Sequence, residues 1–234
     1  MRPTGLRAIL AFVWICQARV PFAQRSAQDV ILHRVADCYW NCTWSKRPFK
    51  ELPVVQARRL RRQRGLSQMR IAALDAYCAL YSHGKAGYVR ALVHEAYGNG
   101  HNFGGDAVMS LGPNLTVIFE RTGSSLALRY LITLPMDGAP AEEQSGCIYD
   151  LSLEKPALMA HYFKSRYRTI SGFERSLHKD HLDPVLEMFY MERDDPQEWS
   201  VLVRKVQKAP GRDARFFGEM LEHVPLDQTS GSVK

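Results

Sequence analysis

The sequence predicts an α+β domain, a small antiparallel sheet flanked by helices, and three observations predict it. Residues 51–97 carry apolar side chains at helical spacing. Three short apolar runs separated by turn-forming residues then occupy 106–134. Helical spacing returns from residue 147 after a Pro/Gly/acidic loop. Helices, then paired strands, then helices is an α+β order. At 234 residues the chain holds one sizeable domain. We divide it into a leader or irregular N-terminal arm over 1–50, a single catalytic-type α+β domain over 51–225 and a flexible tail over 226–234.

Taking the elements in order, the leader "MRPTGLRAILAFVWICQARVPFAQ" has a basic start and a short apolar run. "CQA" and "PFA" are its candidate cleavage positions, as in a secretory signal. No acidic residue precedes Asp29, which also suits an organellar transit peptide; the plain alternative is an irregular leader that is not cleaved. The first helical stretch, "VVQARRLRRQRGLSQMRIAALDAYCALYSH", places six arginines between Arg58 and Arg70. Ile71, Leu74, Tyr77, Cys78 and Tyr81 follow at helical spacing. Its opening resembles a helix-turn-helix repressor, but "ALDAYCALYSHG" continues the same helix where a turn is required. The arginines therefore read as a solvated basic face, with a patch for an anionic effector as the alternative. A second helix covers Ala86–Tyr97 and ends at Gly98.

"DAVMSL", "LTVIFE" and "LALRYLITL" read as strands joined by "GPN" and "TGSS". The loop "PMDGAPAEEQSG" leads to "CIYDLSLEKPALMAHYFKSRYRTI", helical with an interruption near Pro156. Further helical stretches lie near 184–192 and 199–206.

The formal charge of +7 and pI near 9.2 favour anionic partners. No run of eighteen apolar residues occurs, so stable membrane insertion is not expected. The five cysteines include no Cys-x-x-Cys pair, and no Cys/His cluster has zinc-finger spacing, so no metal is expected. Free thiols are the default; with Cys16 removed in a leader, the remaining four would allow two disulfides.

The stretch "GHNFGGDAVMSLGPNLTVIFE" (100–120) has no Lys-Ser/Thr after its glycines and is not a phosphate-binding P-loop. His101 would lead into the first strand and Glu120 would end the second, so antiparallel pairing would set them side by side. Cys147 would open a helix, where the dipole favours the thiolate. Glu120 would then orient His101, and His101 would take the proton of Cys147. Singly, the same residues read as a surface histidine, an edge-strand charge and a small buried hydrophobe.

Three stretches carry a family resemblance: "GHNFGGDAVMSLGPNLTVIFE", "SGCIYDLSLEK" and "LHKDHLDPVLEMFYMER". In order and chemistry, Gly100–Arg193 resembles the YopJ family of type III secreted effectors. The resemblance implies a fold of the ubiquitin-like-protease type and a triad of His101, Glu120 and Cys147. It implies acetyl transfer from acetyl-CoA to Ser, Thr or Lys of host signalling proteins such as kinases. Members of this family were formerly classed as thiol proteases. It also implies inositol hexakisphosphate as an activator and delivery by secretion into a eukaryotic host cell, with no nucleic-acid partner. The family's oxyanion-hole glutamine precedes its cysteine; the nearest counterpart here is Gln144. The other readings are a non-catalytic relative that binds host proteins and an unrelated basic protein of a secretory or organellar compartment.

Overall fold

The computed structural model describes residues 27–44, 52–98, 105–134, 136, 138–166 and 196–222. Eleven helices build them: α1 (Ala27–Trp40), α2 (Val54–Arg61), α3 (Gln68–Tyr81), α4 (Ala86–Tyr97), α5 (Asp106–Met109), α6 (Leu111–Thr122), α7 (Ser125–Thr133), α8 (Ala139–Glu154), α9 (Pro156–Arg166), α10 (Pro196–Lys208) and α11 (Arg212–Glu222). Among the described residues there is no strand. The expected α+β class, and with it the ubiquitin-like-protease type of sheet, is therefore corrected to an all-helical architecture.

The reason is visible in the expected strand "LTVIFE" and in the two expected turns. "LTVIFE" lies inside α6, where Leu111, Leu115, Ile118 and Phe119 are buried at intervals of three and four residues. Short apolar runs do not distinguish a buried strand from a helix face. "GPN" is the first turn of α6 rather than a hairpin turn. Pro113 sits where the backbone N–H has no intrahelical acceptor, so it costs the helix nothing. "TGSS" joins two helices. Gly123, at φ 67°, takes the left-handed position after α6 and its N–H reaches Phe119 O at 2.8 Å. Ser124 then caps α7, its hydroxyl accepting from Ala127 N at 3.4 Å.

Helix α3 is the centre. Every residue from Ala72 to Leu80 is buried, and α1, α2, α4, α5 and α6 all pack against it. Ser67 caps its start, accepting from Arg70 N at 3.4 Å. A short connection turns the chain back into α4, and Gly84 in that connection is a packing requirement. It has φ 67°, and a Cβ there would overlap the Thr122 hydroxyl and meet Ser124 Cβ at 2.7 Å. The α3–α4 hairpin docks on the α6–α7 junction through this bare backbone, with Ser124 Oγ donating to Gly84 O at 3.2 Å.

Within the segment read as an arm over 1–50, the described residues 27–44 pack against the rest. Leu32, Val35, Cys38 and Tyr39 of α1, and Trp44 beyond it, are in the core. A buried polar knot holds them there. Asn114 Nδ2 donates to Tyr39 O (2.8 Å) and Ser110 O (2.6 Å), and Trp44 Nε1 donates to Asn114 Oδ1. Tyr39 Oη donates to Ala107 O at 2.7 Å. Residues 1–26 and the 226–234 tail lie outside the described residues.

A second group of helices closes the other side. Gly112 lets α8 approach α6 so closely that a Cβ would stand 3.2 Å from Gln144 Cα. The interruption read at Pro156 separates α8 from α9, proline taking the first helical position of the latter. Phe163 of α9 stacks on Phe217 of α11, with ring centroids 4.8 Å apart. Leu202 and Val206 of α10 are buried, within the stretch read as helical at 199–206. The helix expected at 184–192 lies outside the described residues. No described helix is long and apolar enough to cross a membrane.

Asn114 is the joint on which the N-terminal helix depends. Asn114→Ala leaves the Trp44 indole N–H and the Tyr39 carbonyl without partners in the core, so we expect a loss of about 2–4 kcal/mol. Denaturant unfolding followed by tryptophan emission measures it; an unchanged midpoint would show that the knot does not hold α1.

Candidate anion-binding groove and the sequence-predicted triad

Helix α2 is short and basic. Its apolar positions Ala57 and Leu60 are buried, which turns Arg58, Arg59 and the following Arg62 outward. Its last turn concentrates guanidinium groups where the helix dipole is negative. Arg61 behaves differently. Asp75 projects from the centre of α3 with its side chain fully buried, and Arg61 Nε donates to Asp75 Oδ1 at 2.5 Å. Burial pushes the Asp75 carboxyl above its ordinary range, with Arg61 opposing and Glu95 adding to the rise. The second oxygen, Oδ2, is buried and has no hydrogen-bond partner among the described residues.

Between α2 and the start of α4 lies an open groove of about 470 Å³. Arg58, Arg61 and Arg62 line one wall, and Lys85, Gly87, Tyr88 and Ala91 the other. The buried Asp75 is also part of the lining. The Arg58 guanidinium carbon is 5.8 Å from the Tyr88 ring centroid, a cation–π contact that holds the cation beside the opening. Gly87 and Ala91 keep the α4 wall low. Four cations thus converge on a concave surface around a single carboxylate, and the groove is net positive.

Two members of the sequence-predicted triad lie among the described residues. His101 lies outside the described residues. Glu120 is in the last turn of α6, exposed, with Lys155 Nζ 3.6 Å from its Oε1. Lys155 also stands over the Phe119 ring, 5.2 Å from its centroid. Cys147 does not open a helix: α8 begins at Ala139, with Pro140 in its first turn, so the thiol sits well beyond the reach of the N-terminal dipole. Burial pushes the Cys147 thiol up to about 11; a hydrogen bond with Thr116 opposes the rise, and Glu143, Asp150 and Glu120 reinforce it. Cys42 is pushed up to about 12, first by burial and then by the neighbouring Cys147. The structure thus brings Glu120 and Cys147 into one neighbourhood and keeps the thiol protonated at neutral pH.

Gln144 is committed elsewhere. Its Nε2 donates to Leu131 O (2.5 Å) and Leu134 O (2.9 Å), satisfying carbonyls at the end of α7. Among the described residues no three metal-ligating side chains come together.

Sequence reasoning treated the arginines as one basic face and did not single out Asp75, Lys85 or Tyr88. The available signal was the lone carboxylate in "IAALDAYCAL", which must meet a cation once that helix is buried all round. No family model, curated protein or solved structure matches the chain.

The Asp75 shift has a sign that can be measured. Its folded value lies above the unfolded 3.8, so the folded chain binds the extra proton between the two. The stability it contributes is fully present below the unfolded value and is lost as the pH rises through the folded one. Asp75→Asn removes this term. The variant's stability relative to the parent is therefore expected to be more favourable at pH about 7 than at pH about 4. Urea midpoints of both proteins at the two pH values check it, and a constant difference would refute it.

Proposed function

We propose that the chain is a binding protein for a phosphorylated small molecule, held in the groove between α2 and α4. The observation that supports this reading is the convergence of Arg58, Arg61, Arg62 and Lys85 on one concave surface. Guanidinium groups present N–H donors in a planar fork that matches phosphate oxygens, and such charge-assisted bonds are the strong ones. The volume is that of a small-ligand cleft. The size of the groove suits a compact ligand rather than a duplex. The net positive charge of the chain would raise the local concentration of such a ligand.

Calorimetric titration with pyrophosphate tests this. We expect binding that weakens as salt rises from about 50 to about 500 mM. The Arg58→Ala/Arg62→Ala double variant, which leaves the Arg61–Asp75 pair in place, should lose about tenfold or more in affinity. Absence of binding, or equal affinity in the variant, would refute the groove.

A second reading is the acyl transfer implied by the YopJ resemblance. The observation in its favour is that Glu120 lies near enough to the Cys147 thiol to raise it further. In that reading the neutral thiol passes its proton to His101. The sulfur then attacks the acetyl-CoA carbonyl, and coenzyme A leaves as the thiol. An acceptor hydroxyl or amine next takes the acetyl group and returns Cys147 to its free form. The expected outcome is radiolabel transferred from acetyl-CoA to the protein and absent in Cys147→Ala; no label in the parent protein would exclude it.

A further inference from the structure

The unmatched charge of the groove bears on how many phosphates its ligand carries. Arg61 already has a counter-ion, since its Nε donates to Asp75 Oδ1 at 2.5 Å. Arg58, Arg62 and Lys85 are exposed, and none of them forms an ion pair among the described residues. The groove walls therefore carry three cations that no described carboxylate offsets. A phosphate monoester brings at most about two negative charges at neutral pH and leaves one cation over. A second phosphate brings the total to about three.

The spacing agrees with the charge. Arg58 and Arg62 are four residues apart, and Arg62 keeps a right-handed helical backbone at the end of α2. They are thus neighbours one turn apart, with about 5–6 Å between their Cβ atoms. Linked phosphates fit such a pair, one on each guanidinium fork. The Arg58 guanidinium is held in advance against the Tyr88 ring, which lowers the cost of ordering it on binding.

We infer, resting on the groove reading above, that the ligand carries two directly linked phosphates, one on Arg58 and the other on Arg62, with Lys85 closing on both from the opposite wall. The groove of about 470 Å³ leaves space beyond them for an organic group beside Gly87 and Ala91. Inorganic pyrophosphate and a diphosphate ester share this chemistry, and the test separates them.

The experiment titrates the unaltered chain with methyl phosphate, methyl diphosphate, pyrophosphate and propane-1,3-diol bisphosphate by calorimetry at one salt concentration. Methyl diphosphate is expected to bind about tenfold or more tightly than methyl phosphate. It should also bind more tightly than the bisphosphate, which carries at least as much charge on separated phosphates. Pyrophosphate weaker than methyl diphosphate would identify an ester, and pyrophosphate equal or tighter the inorganic ion; both outcomes support the inference. Arg58→Ala and Arg62→Ala, made singly at exposed positions, should each bring methyl diphosphate to within about threefold of methyl phosphate. Thermal melting confirms that the variants are folded, and the ligand series on the parent protein decides the matter without them. Equal binding of methyl phosphate and methyl diphosphate would overturn the diphosphate inference alone. So would a bisphosphate that binds as tightly as methyl diphosphate, by showing that charge and not linkage is read. A diphosphate preference unchanged in both variants would overturn the assignment to Arg58 and Arg62. Failure of all four ligands to bind would overturn the groove itself.

Discussion

The fold depends on a helix buried from Ala72 to Leu80 that carries one carboxylate. From Ala72 to Leu80, α3 offers no face to solvent, so its neighbours must enclose it on every side. Alanines at 72, 73, 76 and 79 keep its surface shallow and let α1, α2 and α4 approach closely, while Leu74 and Tyr77 fill the spaces between them. In such a setting an unpaired Asp75 would be untenable. Arg61 is the counter-ion, and its reach inward fixes where α2 lies. The same constraint that completes the core therefore sets the outward-facing arginines of α2 along one wall of a groove.

A buried ion pair adds little net stability, because desolvating both partners offsets their attraction. What the pair supplies is position. Truncating either partner strands the other, so α2 has one arrangement on α3 that leaves Asp75 satisfied at Oδ1. Asn114 plays the corresponding part for α1. Its amide joins the carbonyls of Tyr39 and Ser110 to the indole of Trp44, and a shift of α1 relative to α6 would break the contacts with Tyr39 and Trp44 together. Two polar devices in an otherwise apolar interior thus specify the placement of the two N-terminal helices.

The helical character of α3 and α4 was legible in the sequence because their apolar positions recur with a helical period and Gly98 marks the end of the second; the break between α2 and α3 was not, since that stretch read as one helix. The segment 106–134 was not. Its helices are short, and Gly, Pro, Asn and Ser fall at their ends, where the same residues that make hairpin turns also make helix caps. Leu115, Ile118 and Phe119 have the helical spacing, but valine, isoleucine and phenylalanine in succession imitate a strand. The misreading propagated to the site. Placing Glu120 on a strand and Cys147 at a helix start followed from the assumed sheet. Pro140, by contrast, marks the real start of α8 by the rule that proline is tolerated in a first turn.

The two neighbourhoods differ in what they do to charge, and this decides which suits a polar ligand. Around Cys147, burial and three carboxylates favour the neutral thiol, and Gln144 has both amide donors engaged within the fold. Nothing among the described residues there is held in a charged, unsatisfied state. Between α2 and α4 the reverse holds. Exposed guanidinium groups converge beside a buried carboxylate oxygen that has no hydrogen-bond partner among the described residues. A folded chain rarely leaves such an oxygen unmatched, because its desolvation is uncompensated. Arg61 serves two ends: it satisfies Asp75 Oδ1 within the core and adds its charge to the wall of the groove.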